Sequence, residues 1–99
     1  MNVDQFTQEL TRDGFEVATR SMEPNLVNST HAHPFEVRAL MLSGELTLRS
    51  EGKTQVCRTG DVFTMQAGCA HDEHFGPEGA TYLAGRRQPA KSATAQATA

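Results

Sequence analysis

Three histidines carry the chemistry this chain is best equipped to perform. His31 and His33 stand two residues apart, and on a β-strand that spacing sends both imidazoles to one face, where they can share a ligand. His71 lies far downstream, directly after the turn signal Ala67-Gly68-Cys69, so it stands where a new strand begins and can project across a barrel. Three neutral imidazoles around one divalent ion leave coordination positions open, as binding and activating a substrate or a water requires. A closed structural site would want a fourth protein ligand. Spacing alone leaves a plainer reading open, because a lone His is usually a hydrogen-bonding residue and His-x-His pairs also arise by chance.

Strand parity sorts the neighbours of these histidines. Phe35, Val37, Ala39 and Met41 follow His33 into the interior, whereas Glu36 and Arg38 point to the other face. Phe35, Val37, Met41, Phe63 and Met65 are therefore expected to wall the pocket, with ordinary core packing as their alternative role. His74 has the wrong parity relative to His71 and becomes a fourth ligand only if the loop leading into that strand is irregular; otherwise it belongs on the rim. Asp72 and Glu73 read as solvated loop charges. Cys69 reads as a small apolar filler, reactive only if exposed at the barrel mouth. Leu40 and Leu42 point outward and need cover from an amino-terminal helix, a neighbouring sheet or a second subunit, which is the sequence's argument for a homodimer.

The elements that must position these residues are legible in outline. Val3, Phe6 and Leu10 fall at helical spacing and the run stops at Gly14, so a short amphipathic helix is expected over about Asp4 to Asp13. From Phe15 the period changes to two, and the β region begins. Strands are expected near residues 25–33, 35–43, 45–50, 53–58, 61–65, 71–75 and 80–86, separated largely by glycines. The pair 45–50 and 53–58, joined through Glu51 and Gly52, is the clearest hairpin. The domain reading is an N-terminal helix over 1–14 packed on a barrel over 15–87, followed by a disordered tail over 88–99 that has nothing large to bury.

Bulk properties bound the function. Ninety-nine residues make one domain, and 37% hydrophobic residues suit an ordinary globular protein, although without Trp and with a single Tyr the core has few large anchors. The formal charge of −3 and the single adjacent basic pair, Arg86-Arg87, build no face for duplex binding, so nucleic acid is not an expected partner. The longest apolar run, Ala39 to Leu42, is too short to span a bilayer. A cytoplasmic protein without membrane partners is expected. Cys57 and Cys69 are too few for a disulfide framework.

The residues also resemble the two motifs of the cupin superfamily, G-x5-H-x-H-x3-4-E-x6-G and G-x5-P-x-G-x2-H-x3-N. In the first, His31, His33 and Gly44 match, Asn25 stands where Gly is usual and Val37 where Glu is usual; in the second, Gly60, Gly68 and His71 match, Gln66 replaces Pro and Phe75 replaces Asn. The run HAHPFEVRALMLSGEL is similar to that of small stand-alone bacterial cupins. What the resemblance implies is an all-β fold, a single jelly-roll cupin β-barrel with a short N-terminal helix, commonly dimeric, with Fe, Mn, Ni, Zn or Cu in its mouth. It also implies that losing the acidic ligand to Val37 leaves a neutral three-His set, similar to that of thiol dioxygenases and some β-diketone-cleaving cupins. Glu36 sits one residue early and would serve only if a bulge at Pro34 turned it inward.

Two functions follow as expectations. One is a metal-dependent, dioxygenase-like enzyme acting on a small organic molecule at His31, His33 and His71. The other is a non-catalytic small-molecule-binding or sensor module built on the same barrel. No general base stands out in the sequence.

Overall fold

The computed structural model describes residues 2–89. Of the expected tail, positions 90–99 lie outside the described residues.

Helix α1 (Val3–Arg12) opens on Asn2, whose side chain accepts a hydrogen bond from the Gln5 amide at 2.7 Å. That bond satisfies one of the free amides of the first turn. The apolar stripe buries Phe6 and Leu10 almost completely. Both pack with Phe15, Leu40 and Leu83, and Leu42 is partly buried against the same cluster. The outward leucines thus receive cover from within the chain, through α1.

Six antiparallel strands follow: β1 (Glu16–Met22), β2 (Val27–His31), β3 (Glu36–Ser50), β4 (Lys53–Arg58), β5 (Val62–Met65) and β6 (His71–Arg87). The two long strands, β3 and β6, pair from Glu36↔Arg87 to Ser50↔His71 and form the spine of the fold. One half of this spine takes β5 and β1 as flanking strands; the other half takes β4 and β2. Each long strand fuses two that the sequence suggested were separate. Gly44 accounts for this: it sits inside β3 at φ +80, and a Cβ there would lie 2.0 Å from the Gly79 carbonyl oxygen on β6. Register shifts flank it, between Met41 and Ser43 and between Gly44 and Leu46. Glycine marks a bulge and a close backbone crossing here, not the end of a strand.

The bulges also exchange the inward parity. Val37, Ala39 and Met41 are buried on one side of the shift in β3 and Leu46 and Leu48 on the other; in β6 Phe75 is buried before it, and Ala80, Tyr82 and Ala84 after it. The β3–β4 hairpin closes through Glu51 and Gly52, at φ 54 and 76, with Ser50 opposite Lys53. Two successive positive φ values define the turn type whose twist matches the strands it joins.

Candidate metal centre

His31 is the last residue of β2 and pairs with His71, the first of β6. His33 lies beyond the end of β2, so the two residues do not share one strand as the spacing suggests. Pro34 supplies the reason: it has no amide hydrogen to donate to a ladder. The His33 carbonyl accepts from the Gly68 amide at 2.8 Å, which ties this segment to the loop leading into β6.

The three rings converge. Their centroids are 4.9 Å apart for His31–His33, 4.4 Å for His31–His71 and 5.2 Å for His33–His71. One donor nitrogen of each lies within 4.8 Å of those of the other two. Backbone carbonyls orient two of the rings: Nδ1 of His31 lies 2.7 Å from the Ser29 oxygen, and Nδ1 of His71 lies 3.0 Å from the Cys69 oxygen. A carbonyl only accepts, so Nδ1 of each ring must carry the proton. The Nε2 lone pairs are left for the interior.

At His71 that lone pair has no neighbour: Nε2 is buried and lacks a hydrogen-bond partner among the described residues. Such an atom costs roughly 1–3 kcal/mol unless something completes it. His33 stacks on Phe35 with the rings 12° from parallel. Burial first, and the neighbouring imidazoles second, hold His33 below the ordinary histidine pKa. That favours for His33 the neutral form that a metal requires, and the residues fit a divalent ion.

The cluster opens into a cavity of about 150 Å³. Phe35, Val37, Phe63 and Met65 line it as their parity suggests, but Met41 is not among the lining residues: it is 1% exposed and packs in the core cluster behind them. Glu73 is the residue the sequence reading assigned wrongly. It is 5% exposed, not a solvated loop charge, and its Oε1 accepts from the Asn28 amide at 2.8 Å. The signal was present, since Glu73 is two residues from His71 on one strand and shares its face. Arg20, Asn28, Tyr82 and Arg86 also line the cavity; nothing local in the sequence marks them, because they arrive from β1, β2 and the far half of β6.

Two candidate ligands stand elsewhere. Glu36 accepts from Nε of Arg87 at 2.6 Å on the outer face, and no bulge at Pro34 turns it inward. His74 is exposed, with Nε2 3.0 Å from an Arg49 guanidinium nitrogen, as its odd spacing from His71 dictates. Cys69 is half-buried, 3.0 Å from the Ser50 hydroxyl, and is not part of the cavity lining.

Fold and site together define a small cupin domain. Solved structures agree: a protein of unknown function from Rhizobium leguminosarum superposes with a TM-score of 0.72 at 17% identity, over 78% of this chain and 73% of that one. An RmlC-like cupin from Shewanella frigidimarina gives 0.66 at 17% identity, over 79% and 69%. The Cnp3 cupin domain of Schizosaccharomyces pombe gives 0.73 at 12% identity, over 84% of this chain and 62% of that one. At these identities the likeness concerns the fold. No protein of curated function shows significant sequence similarity to the chain. Residues 16–92 match the AraC-like ligand binding domain, and the chain belongs to that family.

Proposed function

We propose that this chain is a metal-dependent cupin that binds and transforms a small organic molecule in the cavity beside His31, His33 and His71. The observation that carries this reading is the buried, unpartnered Nε2 of His71 facing two further imidazoles. A bound Fe, Mn, Ni, Zn or Cu ion would supply Lewis acidity and open coordination positions there. The chain's own residues do the rest. Phe35, Val37, Phe63 and Met65 exclude water, the carbonyls of Ser29 and Cys69 hold two of the rings in orientation, and Asn28 fixes the Glu73 carboxylate in the wall.

Metal analysis of protein purified without an affinity tag tests the reading. Stoichiometric metal is expected, and His33→Ala should lose most of it because two nitrogens hold a divalent ion poorly; unchanged occupancy in that variant would refute the site. Catalysis of the dioxygenase-like kind is read as O₂ uptake by Fe(II)-loaded protein supplied with thiols or β-dicarbonyls. A second reading, a ligand sensor without turnover, is favoured by the family match. It requires stoichiometric ligand binding with no substrate consumed.

A further inference from the structure

We propose that the cavity takes a small monocarboxylate, with Arg20 and Arg86 as the pair that holds its carboxylate group at the mouth. This deepens the reading of the histidine cavity as the functional site and rests on it.

The central observation is one of pairing. Arg12 and Arg38 both pair with Asp13, Arg49 pairs with Asp72, Arg58 with Glu45 and Arg87 with Glu36. Among the described residues, Arg20 and Arg86 are the arginines left without an acidic side chain at ion-pair distance, and both line the histidine cavity. The strand register places Glu16 opposite Arg86, yet the two form no ion pair. Arg38, which parity sends to the outer face, pairs there with Asp13.

Their placement follows from β1 and β6. Arg20 stands opposite Tyr82, and Arg86 lies further along the same face of β6. The Arg86 guanidinium carbon sits 4.9 Å from the centroid of the Phe35 ring, which stacks on His33 at 4.9 Å between centroids. Guanidinium, phenyl and imidazole thus lie in series beside the histidine cluster. A guanidinium held over an aromatic face by its charge makes no hydrogen bond there, so its N–H donors remain for a carboxylate. Size and charge restrict the ligand further. A cavity of about 150 Å³ admits a molecule no larger than roughly a benzene ring. Buried Glu73 repels a second anionic group and, as an acceptor, suits a hydroxyl at the inner end.

The test is calorimetric titration of metal-free full-length protein with propionate, lactate and propionamide, alongside metal content measured separately on each variant. Propionate and lactate should bind one to one, and propionamide should not. Arg20→Gln and Arg86→Gln should each weaken binding at least about tenfold, as loss of a charge-assisted contact does, while metal occupancy stays at the wild-type level. Arg86→Lys, which keeps the charge and loses the fork, should fall between. Equal binding of propionamide and propionate, or wild-type affinity in both glutamine variants, would overturn the assignment. Failure of the metal site shows instead as absent metal in wild-type protein with carboxylate binding intact.

Discussion

A histidine nitrogen left without a partner inside a protein is a local cost. His71 Nε2 has no partner, whereas Nδ1 of the same ring is held by Cys69. Replacing His71 by Leu should therefore leave metal-free protein at least as stable as wild type, because the unsatisfied nitrogen disappears and an apolar side chain takes its place. In saturating zinc the order should reverse, since wild type alone gains binding free energy: about 2.7 kcal/mol at a hundredfold excess over Kd. Urea midpoints with and without zinc check both halves. At Val37 the side chain is an apolar part of the cavity wall, and the nearby acid Glu36 is committed to Arg87. The three-His group thus has no acid among its nitrogen donors, and Glu73 is the one acidic side chain lining the cavity.

Among the elements, α1 has a role out of proportion to its ten residues. Parity drives Leu40 to the outer face of β3, and α1 turns that face into a second core, with Leu10 fully buried. Leu10→Ala should cost about 2–5 kcal/mol, the range for a truncated buried leucine. Denaturant unfolding measures it, and a loss under 1 kcal/mol would mean that the helix detaches easily from the barrel. The spine strands β3 and β6 act differently. Each runs through a bulge and serves both halves of the fold, so one continuous strand carries His71 and Glu73 at one end and Tyr82 and Arg86 at the other.

For the molecule as a whole, two buried groups make alkaline pH the weak side. Burial pushes the Cys57 thiol from 9.0 up to about 11, and burial, followed by the Glu73 charge, raises the Tyr82 phenol. The unfolded chain releases these protons at lower pH than the folded one, so the folded state binds more protons through that window and stability falls as pH rises from about 9 to 11. Thermal unfolding across that range should show a falling Tm, and Cys57 should resist alkylation until the fall begins, while half-buried Cys69 reacts earlier. A flat Tm across the window would show that these groups ionise alike in both states. Among the described residues no helix is long and apolar enough to cross a membrane.

Local pattern was enough to determine the all-β class, the helix and the hairpin through Glu51 and Gly52, which depend on short-range period and turn chemistry that a sequence displays directly. Spacing alone left the three histidines open to a plainer reading, and the motif resemblance grouped His71 with the distant pair. Strand continuity was hidden because glycine ends strands and also forms bulges inside them; at Gly44 only the crossing with Gly79 decides between the two. The cavity's polar wall was hidden for a related reason. Asn28, Arg20, Tyr82 and Arg86 meet Glu73 through pairings between strands distant in the chain, and which arginine is left without an acid is settled only when every other arginine has found its own.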